Sequence, residues 1–154
     1  MTMTKEELAA KLEAHAKWLK TRYTDHVEGE CANLTGANLT FADLTDADLT
    51  CANLTRANIM DADLTRANLT DADLRRANLT RANIMDADLT GANLTFADLT
   101  DSDLTLADLT DADLTCANLE HVWRASTFVW DAILATISAR IALKRTRIEW
   151  EQHK

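Results

Sequence analysis

Leucine or isoleucine stands at every fifth position from Leu34 to Leu119, eighteen times without a slip, and no other feature constrains the fold as much. Asp or Asn precedes each one, and Ala precedes that residue, with Ser102 the single substitute for alanine. The unit Ala-(Asp/Asn)-Leu-Thr-Xaa runs from Ala32 to His121. A period of five fits neither the 3.6 of an α-helix nor the 2 of a flat strand. Each unit has to turn a corner, and its apolar residues are covered only when successive coils stack. That describes a solenoid. Ala and Leu, two positions apart, both face inward, and the other three residues face out.

The repeat resembles that of the pentapeptide-repeat family: a small residue, Asp or Asn, Leu or Phe, Ser or Thr, then any residue. All eighteen central positions fit. The resemblance implies a right-handed quadrilateral β-helix, in which four pentapeptides make one square coil of twenty residues. The ninety residues of the repeat then give four and a half coils. At strand-like spacing the rod is about 22 Å long. The expected core columns are Leu34, Leu54, Leu74, Leu94 and Leu114, and beside them Leu39, Ile59, Leu79, Leu99 and Leu119. Asn33 and Asn53 fall in one outward column and Asn38, Asn58 and Asn78 in another, where side-chain amides can form ladders.

Three segments follow: a lead-in over 1–30, the solenoid over 31–121 and a C-terminal segment over 122–154. Thr4-Lys5-Glu6-Glu7 is a capping box, and Leu8, Leu12, His15, Ala16 and Leu19 follow at helical spacing. The segment His15 to Leu19, then Gly29 to Ala32, is similar to the helix that precedes the coils in many family members. Leu12, Trp18 and Leu19 are the expected contacts to the first coil, and His15 reads as a structural histidine. Beyond Leu119 the pattern becomes helical again, with Trp123, Trp130, Ile133, Leu134, Ile137 and Ile141 on an apolar arc. That arc is wider than closing the last coil requires. The surplus points to a homodimer through the C-terminal helix, with a basic helix lying on a membrane surface as the alternative.

The net charge is −9. Residues 31–121 carry fifteen Asp and Glu120 against five arginines, so the solenoid is the acidic part and nucleic acid is a poor ligand for it. Counting by twenty assigns the charges to sides. Side one holds Arg56, Arg75 and Arg76 against Asp73 and Asp113. Side two holds Asp61, Asp98, Asp101 and Glu120 against Arg81. Side three has Asp43, Asp46, Asp63, Asp86 and Asp103 against Arg66, and side four has Asp48, Asp71, Asp88, Asp108 and Asp111 with no base. Some members of the family bind gyrase and are held to imitate duplex DNA with an acidic rod dimerised through a C-terminal helix. The resemblance therefore implies a DNA-mimicking partner of gyrase as one reading. An acidic coat that only keeps a scaffold soluble is the other.

The repeat is also internally copied. Arg56–Thr65 recurs letter for letter as Arg81–Thr90, and Gly36–Asp46 as Gly91–Asp101. Neither interval is a multiple of twenty, so the copies preserve the core and place identical patches on different sides. Recent repeat expansion and a designed consensus rod both fit this regularity. Phe41 and Phe96 fall at outward or corner positions and read as local packing; Met60 and Met85 receive no role.

Recognisable chemistry is sparse. Cys31 and Cys51 lie one lap apart, within reach of a disulfide, but the expectation is free thiols, because stacked parallel side chains are poorly aimed for the bridge. The four histidines are scattered, with no metal spacing. There is no Gly-rich phosphate loop, and carboxylates on a convex wall lack a pocket to tune them. The chain is expected to be no enzyme, to hold no cofactor and, without a signal-like start or a spanning segment, to be cytoplasmic.

Overall fold

The computed structural model describes residues 3–122. It opens with one helix, α1 (Lys5–Thr21). The capping box sets its start: Glu7 N–H donates to the Thr4 hydroxyl at 3.1 Å, and Thr4 N–H donates to the Glu7 carboxylate at 2.8 Å. Two of the donors that any helix start leaves unpaired are thereby satisfied.

Hydrogen bonds give the lap of the solenoid directly. Leu34 N–H donates to Asn53 C=O at 2.7 Å, Gly36 N–H to Thr55 C=O at 2.9 Å, and Asn53 N–H returns to Ala32 C=O at 2.9 Å. The same bonds recur up the rod as far as Asn118 N–H to Ala97 C=O. Twenty residues make one lap, and parallel bridges stack Asn33 on Asn53, Asn53 on Asp73 and Asp73 on Asn93. The sides carry isolated bridges in place of extended strands, one paired residue each. Only Ala, Asp or Asn, and Leu are extended before the next corner intervenes.

At each corner the Ala N–H donates back to the C=O of the Leu three residues earlier, as in Ala37 to Leu34 at 3.0 Å. The third residue of this turn has positive φ at all eighteen corners, from 54° at His121 to 68° at Gly91. That is the signature of a type II turn. Only Gly36 and Gly91 are glycines. The other corners hold side chains in a left-handed conformation that costs about 1 kcal/mol per residue. Stacking offsets it: every central Leu or Ile from Leu34 to Leu114 is at most 2% exposed, and each such burial stabilises by about 1.5–3 kcal/mol. Leu119, in the unfinished last coil, is only half-buried. Ser102 is buried in an alanine column, and its hydroxyl donates to Leu99 C=O at 2.7 Å.

α1 lies against the first coil, where Met3, Leu8 and Leu12 pack on the core. Its polar side chains replace partners that a coil below would provide. Lys11 Nζ donates to Asn33 C=O at 3.1 Å. Ala32, the first alanine of the series, has no preceding turn to accept its N–H, and His15 Nδ1 takes that proton at 3.1 Å instead. His15 is fully buried and stacks on Trp18 at 5.6 Å. Trp18 and Leu19 are half-buried but outside the apolar core cluster, so Trp18 meets His15 rather than the leucines. Trp123, Trp130, Ile133, Leu134, Ile137 and Ile141, named for closing the last coil and for a dimer, lie outside the described residues.

Candidate interaction surface

The three outward positions of each repeat differ sharply in what they can offer a ligand. In all eighteen repeats the Asp or Asn side chain accepts a hydrogen bond from the N–H two residues on. This Asx turn explains the residue choice: a short side chain with an acceptor oxygen caps the corner that follows it. Threonine often adds its hydroxyl to the same oxygen, as Thr50 does to Asp48 at 2.7 Å. Amide ladders join coils where Asn permits, with Asn78 Nδ2 donating to Asn58 Oδ1 at 3.2 Å and Asn58 Nδ2 to the Thr40 hydroxyl at 2.9 Å. Asp/Asn and Thr are thus committed to holding the square.

The acidic faces divide accordingly. Asp43, Asp48, Asp63, Asp88, Asp103 and Asp108 are Asx-turn acceptors. Hydrogen bonds from Thr45 hold Asp43 below the usual carboxylate range, and bonds led by Thr90 do the same for Asp88. Asp46 is a corner residue gripped in two-pronged fashion by Arg66, Nε and Nη2 each at 2.7 Å, and this contact lowers its pKa. Asp71, Asp86 and Asp111 remain as corner carboxylates without an ion pair among the described residues. The charge on sides three and four is real, but most of it is held in place by the backbone.

The variable chemistry sits in the corner columns. Column two reads Phe41, Asp61, Arg81, Asp101, His121, and Arg81 grips Asp61 with two 2.7 Å bonds. Column one reads Gly36, Arg56, Arg76, Phe96, Cys116; Arg76 lies over the Phe96 ring at 5.7 Å, and Arg75 beside it is tied to Asp73 at 2.6 Å. The copied decapeptide shows what register does. Arg81 lands above an aspartate and pairs with it, whereas its copy Arg56 lands below Arg76 and has no ion pair among the described residues. Phe41 and Phe96 stand at outward corners, 75% and 57% exposed, and Phe96 packs locally against the Arg76 guanidinium one lap below.

Sequence reading missed Arg22. The end of α1 holds its guanidinium between the rings of Trp18 and Tyr23, at 5.1 and 4.8 Å, and its Nη1 donates to Cys51 Sγ at 3.2 Å. The twenty-residue interval between Cys31 and Cys51 was the legible half of this cluster. Both thiols are free and half-buried. Among the described residues no three metal-binding side chains gather, and no helix is long and apolar enough to cross a membrane.

A square repeat solenoid with a structurally committed wall and variable corners is a β-helical repeat protein. The family model for pentapeptide repeats matches in 8 copies over residues 30–66, 57–95 and 87–122, and the chain belongs to that family, whose fold is the right-handed quadrilateral β-helix. Among solved structures, HetL, a pentapeptide repeat protein involved in heterocyst differentiation regulation in the cyanobacterium Nostoc sp. strain PCC 7120, is 34% identical over 60% of this chain and 51% of its own, with a TM-score of 0.49. A pentapeptide repeat protein of the Arabidopsis thaliana thylakoid lumen is 29% identical over 59% of this chain and 63% of its own, with a TM-score of 0.58. A second Nostoc PCC 7120 pentapeptide repeat protein is 26% identical over 86% of this chain and 93% of its own, with a TM-score of 0.58. The chain therefore spans 51% and 63% of the first two. No curated protein matches it.

Proposed function

We propose that the chain is a non-catalytic protein-interaction scaffold: a capped rod, dimeric through 122–154, that binds through its corner columns in a cytoplasmic setting. One observation carries this reading. All eighteen Asp/Asn side chains are used in Asx turns, so the long acidic wall is architecture, and only the corners vary freely enough to encode a partner. Carboxylates on such a wall are not enclosed, and enclosure is what tunes a catalytic acid or base. Light scattering at micromolar concentration tests the assembly: about twice the 17.1 kDa chain mass is expected, and a monomer that persists at every concentration rejects the dimer.

The second reading, an acidic mimic of duplex DNA acting on gyrase, draws on the unpaired corner carboxylates Asp71, Asp86 and Asp111 on sides three and four. A supercoiling assay separates the two. The scaffold reading expects inertness; inhibition that fades with added salt, as charge recognition does, would favour the mimic.

A further inference from the structure

The surroundings of Cys51 have no part in the scaffold reading. Trp18 and Tyr23 fix the Arg22 guanidinium from the flanks, and its Nη1 reaches Cys51 Sγ at 3.2 Å. A fixed cation thus stands directly beside this sulfur. One lap below, the Cys31 thiol donates to Cys51 C=O at 3.1 Å. The Cys31 sulfur therefore lies directly against the backbone of Cys51. Cys51 has φ of 59° while Cys31 is not among the left-handed residues. The two residues therefore differ in backbone conformation, and their side chains are not the parallel copies that the repeat alone would set.

We propose that Cys51 and Cys31 form a hydroperoxide-responsive thiol pair, with Cys51 the attacking sulfur and Cys31 the resolving one. The Cys51 thiolate attacks the terminal peroxide oxygen. An S–O bond forms, the O–O bond breaks, and the leaving oxygen takes up the proton the thiol gave up, yielding water or an alcohol and a sulfenic acid. Cys31 sulfur then attacks Cys51 sulfur. The S–S bond forms, the S–O bond breaks, and hydroxide leaves with the Cys31 proton as water. Two thiols lose two electrons and one hydroperoxide gains them. Burial, with Cys51 beside it, pushes the Cys31 thiol up despite Arg22, which suits a partner that waits as the thiol. The product joins the lead-in to the second coil across twenty residues.

Cys116 serves as an internal control, a corner cysteine of the same left-handed backbone with φ of 60° and no guanidinium contact among the described residues. The full-length chain is titrated with hydrogen peroxide, and its thiols are counted and mapped by mass spectrometry. Two of three thiols are expected to disappear together as a Cys31–Cys51 cross-link, ahead of Cys116. Cys31→Ser should leave a sulfenic acid at Cys51 that dimedone traps, Cys51→Ser should abolish the cross-link, and Arg22→Gln should slow the reaction several-fold, with circular dichroism confirming that each variant folds. If Cys116 reacts as fast as Cys51, or folded Arg22→Gln reacts at the parental rate, or no cross-link forms, the pair has no such role. Should Arg22→Gln fail to fold, the comparison of Cys51 with Cys116 in the parent decides alone.

Discussion

Gly29 passes so close to α1 that a β-carbon on it would stand 2.1 Å from the carbonyl oxygen of Ala14. Its φ of +75° independently disfavours any side chain. Gly36, at +63°, has nothing within 4 Å of the same position. Gly29→Ala must push α1 off the first coil or distort the lead-in, and its expected cost is about 3 kcal/mol. Gly36→Ala pays only the backbone term of about 1 kcal/mol. Urea unfolding of the two variants checks the contrast, and equal losses would contradict the close approach.

Leu106 is the opposite case. It holds φ of 60° at a corner and is 64% exposed, so its side chain strains the backbone and contributes little burial. Leu106→Gly is expected to raise stability by about 0.5–1 kcal/mol, the left-handed strain relieved less the extra entropy of an unfolded glycine. A lower urea midpoint than the parent would show that the corner is not strained.

The Asx turns make Asp and Asn interchangeable and both superior to Ala. Asp88 accepts Thr90 N–H at 2.9 Å and stacks directly on Asp108, a like-charge pairing that sheets disfavour. Asp88→Asn keeps the acceptor and removes the repulsion, so stability should hold or rise; Asp88→Ala should lose about 1 kcal/mol. Because hydrogen bonds hold the Asp88 carboxyl below its usual range, its stabilisation is present above the unfolded carboxylate range and lost as pH falls through the folded value. Asn at this position should remove that share of the acid sensitivity.

His15 titrates in a separate window. Burial holds its ring below the ordinary histidine range, and the nearby Asp48 and Thr50 only partly oppose this. The Ala32 N–H contact also needs Nδ1 unprotonated. The unfolded chain takes up a proton near pH 6.5, which the folded state refuses. Stability is therefore lost as pH falls below about 6.5, until the folded value is reached. Urea midpoints from about pH 7.5 to about pH 5.5 should fall for the parent and stay flatter for His15→Gln. Identical slopes would contradict the neutral, buried imidazole.

The lap and the core columns were legible because a repeat states its own register: one period, read eighteen times, fixes which residues stack. The capping box at Thr4 and the structural histidine were legible from local pattern. The positive φ of the corners was not, since Arg, Asp, Phe and Leu occupy positions that glycine would have marked. Arg22 was hidden for a different reason. It lies in the unrepeated lead-in, and only the return of the chain through Gly29 brings it to Cys51. The unequal fates of Arg56 and Arg81 needed the stacking itself, because identical decapeptides differ only in what lies one lap away.

Trans-hydrogen-bond couplings in an NMR spectrum of the labelled protein test the twenty-residue lap most directly. Leu54 N–H donates to Asp73 C=O at 2.8 Å and Leu74 N–H to Asn93 C=O at 2.8 Å, so each amide nitrogen should couple to the carbonyl carbon nineteen residues ahead. A coupling from Leu54 to any other carbonyl would break the columns, and with them the assignment of every side and corner.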